Sequence, residues 1–187
     1  KKMEDIIMEN KNQISKEEFT NIREDEIEHA ARNLLIKRGV TVEDIIPLVY
    51  FLQKDHIPNL TNEEIRIHVE QVLTKREVHN AILTGIELDI LAEKRLLSEP
   101  LLEIVQKDGG LYGVDEVLAL SIVNIYGSIG FTNYGYIDRV KPGILAQLNN
   151  KNKEHVHTFL DDIVGAIAAA SASRLAHTYK KKIDQNQ

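Results

Sequence analysis

Residues 158–173, TFLDDIVGAIAAASAS, constrain the fold more than any other stretch of this chain. Apart from Asp161 and Asp162 the run is apolar or small on every side, and a helix that is apolar all round belongs in a core. The chain must therefore be long enough to wrap it. At 187 residues, with 43% hydrophobic and 28% charged residues, it can bury a full core and most simply forms one domain.

The rest of the chain repeats helix signals and hardly shows strand signals. Motifs of the form S/T-x-x-E/D stand at residues 15–18, 41–44, 61–64 and 74–77, each the signature of a helix start. Apolar residues recur at helical spacing through Ile27, Ala31, Leu34 and Leu35, through Val42, Ile45, Ile46, Val49 and Leu52, and through Ile65, Val69 and Val72. Gly39, Pro58, Asp108 with the two glycines that follow it, and Gly113 punctuate these runs, and Pro47 is expected to bend the helix that holds it. The pattern predicts an all-α protein, a single compact domain of about seven or eight helices over residues 23–187, preceded by a charged arm over residues 1–22. The last helix is expected over 158–179, with Thr158 as its N-cap. Residues 117–137 carry no charge and reach the length of a membrane span, but Ser121, Asn124, Gly127, Ser128, Gly130, Thr132, Asn133 and Gly135 interrupt them. They read as a buried helix leading into a loop.

Charge and cysteine content narrow the chemistry. The net charge of −6, from 23 Lys and Arg against 29 Asp and Glu, argues against nucleic acid, whose phosphates would be repelled. There is no cysteine, which excludes disulfides, thiolate metal sites and thiol nucleophiles and fits a reducing cytoplasm. Walker A, Rossmann and nucleophile-elbow patterns are absent. Carboxylates, histidines, hydroxyls or a bound ion must carry any catalysis.

Two acidic pairs open apolar helices. Asp161 and Asp162 head two adjacent rows of small residues, Gly165, Ala169 and Ser173 on one and Ala166 and Ala170 on the other. Acids in a first turn are favoured by the helix dipole, which is the plain reading of the pair. The small rows, however, let another helix approach closely, and carboxylates buried that way need a cation. Asp115 and Glu116 likewise open a helix that is otherwise apolar. Four carboxylates at the starts of two core helices suit Mg²⁺ (or Mn²⁺), which takes oxygen ligands and shares them with substrate phosphate. Between the pairs lie residues 131–143, read as a Gly- and aromatic-rich loop, with Arg139 and Lys141 suited to phosphate oxygens and a helix begun by Pro142. Arg76 and Asn80, on one face of the helix after Thr74, are lesser candidates for substrate contact, and Gly85 within that helix marks a close approach. His155 and His157 lack the i,i+4 spacing of helical metal ligands, though His157 can donate a proton if its loop folds over the acids.

The order of these motifs resembles the phosphatidylglycerophosphatase A family: Asp115-Glu116 opening an apolar helix, then Asp138 with Lys141-Pro142, then Asp161-Asp162-Ile163-Val164-Gly165. The resemblance covers residues 108–177 and points to the soluble Gram-positive branch, which includes proteins named low-temperature requirement C. It implies Mg²⁺-dependent hydrolysis of phosphatidylglycerophosphate to phosphatidylglycerol and phosphate. Asp115, Glu116, Asp161 and Asp162 would hold one or two ions and one of them would act as base, while Asp138, Arg139 and Lys141 would serve the substrate. It also implies a cytoplasmic protein in peripheral contact with the inner face of the membrane, through Lys180, Lys181 and Lys182 or the apolar residues 131–136. A phosphohydrolase of a soluble ester, and a non-catalytic helical protein with a structural ion site, are the alternatives.

Overall fold

The computed structural model describes residues 23–108, 112–150 and 155–185. Within them the chain is all-α, with no strand, and forms one compact domain. In chain order the helices are α1 (Glu24–Lys37), α2 (Val42–Gln53), α3 (Asn62–Val72), α4 (Arg76–Glu93), α5 (Leu101–Lys107), α6 (Val114–Val123), a 3₁₀ turn (Asn124–Tyr126), α7 (Gly127–Val140), α8 (Ile144–Leu148) and α9 (Leu160–Gln185).

Helix α9 is the axis of the domain. Every residue from 158 to 173 is buried, and α2, α3, α4, α6, α7 and α8 all pack on it. Its Ala, Ser and Gly rows make this possible, because small side chains let neighbouring helices approach from several directions at once. Helix α4 approaches closely at Gly85. At Gly85 a Cβ would lie 2.5 Å from Ile163 Cδ1, 2.9 Å from Phe159 Cβ and 3.0 Å from Leu118 Cδ2, so this position admits only hydrogen. Helices α1 and α5 pack on α4.

Two of the expected caps form. The Thr41 backbone N–H donates to Asp44 at 2.8 Å, and that of Thr61 donates to Glu64 at 3.1 Å, each closing a capping box. The third does not. Thr74 donates its hydroxyl to the Gln71 carbonyl at 2.9 Å, closing the end of α3, and Lys75 becomes the N-cap of α4. Thr158 is likewise no cap, since its hydroxyl donates to the Val105 carbonyl at 2.6 Å. Helix α2 continues unbroken across Pro47. The motif at residues 15–18 and the arm at 1–22 lie outside the described residues.

Residues 131–140 are helical, and only 141–143 are irregular as expected. The chain turns earlier, through Asn124–Tyr126 and Gly127 at φ 70°, and continues as α7 to Val140. Gly130 is there for packing, because a Cβ would stand 3.0 Å from Val123 Cγ1. Gly127 and Gly130 thus serve a tight helix junction, whereas Gly135 lies within the helix with open space where a Cβ would stand. The stretch Val114–Val140 is long and apolar enough to cross a membrane, but the turn at Asn124–Tyr126 interrupts it and both of its helices pack on α9.

Candidate metal and phosphate site

Three helices bring their acidic ends together. Asp115 and Glu116 occupy the first turn of α6, entered from Gly113 at φ 72°, and Asp161 and Asp162 the first turn of α9. Tyr112 meets Phe159 edge-on at 5.9 Å between ring centres, which fixes the start of α6 against the start of α9. Asp138 and Lys141 come from the C-terminal end of α7, where Lys141 ends the helix in the left-handed region at φ 46°.

Asp115, Glu116 and Asp162 each present a carboxylate oxygen, and these oxygens lie within 4.8 Å of one another. Asp115 and Asp162 are both only 5% exposed. Asp115 Oδ1 and Glu116 Oε2 are buried without a hydrogen-bond partner among the described residues. Two ionised carboxylates have only acceptors to offer each other, so the cluster needs protons or a cation to hold it together. Burial, with Glu116 beside it, pushes Asp115 up to about 7. Burial, with Asp161 next to it, pushes Asp162 up to about 9. An all-oxygen donor set with unused lone pairs fits Mg²⁺ or Mn²⁺ and excludes soft metals.

Asp161 stands apart from this trio. Its Oδ2 accepts from Lys141 Nζ at 2.8 Å, while Asp138 Oδ1 accepts from the same ammonium at 2.7 Å and Asp162 Oδ1 stands 3.7 Å away. Burial pushes Lys141 down, but Asp161, Asp138 and Asp162 more than reverse this and hold it above the usual lysine value. Burial raises Asp161 against the pull of Lys141. The sequence grouped four carboxylates as ligands; the geometry groups three and ties the fourth to a lysine. That lysine, expected to face substrate, is engaged by aspartates.

The other predicted residues fall elsewhere. Arg139 is exposed on α7 and makes no ion pair among the described residues. Arg76 pairs with Glu24 at the far end of α4, about 20 Å along the helix from Asp89, and Asn80 is exposed about 14 Å from it. Neither joins the acidic cluster, because the polar stripe they form faces away from α9. Gly85 does mark the close approach read from it.

Asp89 is the residue that the sequence reading missed. Fully buried on α4, it accepts from the Phe159 N–H at 3.1 Å and the Leu160 N–H at 3.0 Å, so it caps α9 from another helix. Burial pushes it up to about 8 against those two donors. Its signal was present: Val78, Ile82, Gly85, Ile86 and Asp89 form one helical stripe, and Asp89 is its only acid. With this cap supplied by α4, Asp161 and Asp162 are released from capping. Nearby, Arg38 donates to Glu93 at 2.6 Å and to the Val156 carbonyl at 2.6 Å, pinning the segment before α9. His157 Nδ1 lies 3.0 Å from the Leu148 carbonyl, so Nδ1 carries the proton and Nε2 accepts. Burial lowers its pKa. His157 and Asp161 line one cavity of about 120 Å³ with Gln106, Asp108, Asn149 and Asn150.

Comparison with known proteins decides the family. The family model described as phosphatidylglycerophosphatase A matches residues 35–177, which include all six clustered side chains. The chain belongs to the phosphatidylglycerophosphatase A family. It is 64% identical to YutG of Bacillus subtilis over 152 residues, 81% of this chain and 92% of that one. It is 51% identical to YpjQ of the same organism over 156 residues, 83% of this chain and 88% of that one. The low temperature requirement C protein of Listeria monocytogenes has the same fold, with a TM-score of 0.82 at 63% identity, covering 84% of this chain and 99% of that one. Membership in the phosphatidylglycerophosphatase A family places the three motifs, and the helix ends that carry them, in the branch with these Gram-positive proteins.

Proposed function

We propose that the protein is a divalent-cation-dependent phosphomonoester hydrolase acting on phosphatidylglycerophosphate, releasing phosphatidylglycerol and inorganic phosphate. The observation that carries this reading is the cluster of Asp115, Glu116 and Asp162, with ligand oxygens within 4.8 Å and two buried oxygens left without a hydrogen-bond partner among the described residues. These three would hold Mg²⁺ or Mn²⁺. When bound, the ion supplies positive charge to phosphoryl oxygens and acidifies water.

The chain's own groups do the rest. Lys141, oriented by Asp138 and Asp161, lends positive charge at the edge of the cluster, which lowers the repulsion between four carboxylates and an incoming phosphate. In this reading Asp161, next to Asp162 in the chain but outside the trio, takes the proton of the attacking water. The water oxygen bonds to phosphorus as the bond from phosphorus to the ester oxygen breaks, and the proton taken by Asp161 passes to that oxygen, which leaves as the alcohol. A lipid substrate requires contact with a bilayer, and Val117, Phe131 and Val140 on α6 and α7 are exposed and uncharged where they can supply it.

A soluble phosphate ester is the second reading, favoured by the polar side chains of Gln106, Asn149 and Asn150 in the cavity beside Asp161. Phosphate release from phosphatidylglycerophosphate in anionic vesicles, beside soluble esters, in Mg²⁺ and in EDTA, tests both. Rapid Mg²⁺-dependent release from the vesicles supports the lipid reading. Release from soluble esters alone replaces it with the second, and no release from either rejects both.

A further inference from the structure

Tyr134 has a part in this site that nothing above assigns. It lies on α7 four residues before Asp138 and seven before Lys141, so the three share one face of the helix. Its ring rests on α9 at Gly165, where a Cβ would stand 3.8 Å from Tyr134 Cε2. Gly165 is one turn beyond Asp161, so the ring packs on α9 within about one turn of the two aspartates.

The side chain is 5% exposed, and its hydroxyl has no hydrogen-bond partner among the described residues. A fold leaves few buried hydroxyls unpaired, because a phenylalanine would fill the same space without the desolvation cost. Burial and the charges of Asp162, Asp138, Glu116 and Asp161 hold the phenol above its ordinary value, so it remains a hydrogen donor. A protonated phenol is a poor ligand for a cation that asks for anionic oxygens. What it matches is an anionic oxygen brought in with the cation, since the carboxylates alone would repel an anion.

We propose that Tyr134 is a substrate-binding residue whose hydroxyl donates a hydrogen bond to a phosphoryl oxygen held at the Asp115–Glu116–Asp162 cluster. This rests on the phosphatase reading above. It also sets an order of binding, divalent cation first and phosphate second.

The test is Tyr134→Phe in the full chain, with inorganic phosphate as the probe. Three quantities are measured: urea stability in EDTA, Mg²⁺ affinity by calorimetry, and phosphate affinity in saturating Mg²⁺. The expected result is unchanged or higher stability, unchanged Mg²⁺ affinity, and phosphate binding weakened about 10-fold or more, as befits a lost hydrogen bond to a charged group. Equal phosphate affinity in the variant and the parent overturns the proposal while leaving the metal site intact. A clear loss of stability in EDTA also overturns it, by showing that the hydroxyl has a structural partner such as a buried water. If the parent protein binds neither Mg²⁺ nor phosphate, the phosphatase reading falls and this inference falls with it.

Discussion

The crowding of carboxylates makes the stability of the metal-free protein depend on pH in a direction opposite to ordinary acid denaturation. Folding raises Asp115 to about 7, Asp162 to about 9 and Asp89 to about 8, while in the unfolded chain all three titrate near their common value of about 4. A carboxyl with a raised folded-state pKa gives stability that is complete below the unfolded value and is lost as pH rises through the folded one. His68, lowered by burial to about 4, and His157, also lowered, act in the opposite sense, but only near and below the ordinary histidine range. A window from about pH 7 to about pH 8.5 therefore isolates the carboxyls. Across it, one retained proton is worth about 1.4 kcal/mol per pH unit, so Asp162 and Asp115 together lose about 2 kcal/mol and Asp89 about 1 kcal/mol. Asp161, raised in the same direction, adds to the fall.

Saturating Mg²⁺ changes the outcome, because ligands must be deprotonated to bind it. The contribution of Asp115 and Asp162 then disappears, leaving the Asp89 share of about 1 kcal/mol together with that of Asp161. At about 100 times its dissociation constant the ion also adds about 2.7 kcal/mol outright. Urea unfolding followed by far-ultraviolet circular dichroism, at several pH values in EDTA and in Mg²⁺, measures both effects. The expected result is a fall of about 3 kcal/mol in EDTA and about 1 kcal/mol in Mg²⁺. Stability that rises across this window in EDTA, or that follows the same curve with and without Mg²⁺, would refute the reasoning.

Three further outcomes follow from the packing. Asp162→Asn and Glu116→Gln abolish phosphate release while keeping the native circular dichroism spectrum, and in EDTA Asp162→Asn is at least as stable as the parent, since it relieves like-charge repulsion. Gly85→Ala loses about 1–3 kcal/mol in urea unfolding, because the new methyl meets the Phe159 backbone-proximal Cβ at 2.9 Å as well as Ile163, whereas Gly165→Ala meets nothing closer than 3.8 Å and gains up to about 1 kcal/mol of helix propensity. Asp89→Ala leaves the Phe159 and Leu160 N–H groups buried without acceptors and lowers the urea midpoint by the equivalent of about 2–5 kcal/mol; an unchanged midpoint would mean that α9 does not depend on this cap.

How much of this was legible in the sequence depends on whether the signal is local. The all-round apolar run of residues 158–173 told its own position, because no helix of that composition can sit at a surface. The capping boxes at Thr41 and Thr61 are closed within four residues, and both were readable. Thr74 and Thr158 have the same look, but each hydroxyl is taken by a carbonyl outside the expected cap: Gln71 on the preceding helix for one, and Val105 for the other, more than fifty residues away. Asp89 failed to stand out for the same reason, since its partners are 70 and 71 residues distant.

The acidic site was partly legible in the same way. Adjacent carboxylates at helix starts announced themselves, and the order of motifs joined them into one site. Which carboxylate faces the trio and which faces Lys141 depends on the rotation of α7 against α9, set by Gly165 under Tyr134, and no linear pattern carries that rotation. Reading residues 131–143 as a loop also hid the i, i+4, i+7 row of Tyr134, Asp138 and Lys141. Arg76 and Asn80 were chosen as a polar stripe, yet the buried stripe of α4 is the one that ends in Asp89.

The most direct measurement on the central claim is a crystal of the protein soaked in millimolar Mn²⁺, with its anomalous signal mapped. The account predicts a peak at about 2.1 Å from carboxylate oxygens of Asp115, Glu116 and Asp162, absent from the same map of Asp162→Asn. No peak at these three residues, or one that survives unchanged in Asp162→Asn, would contradict it.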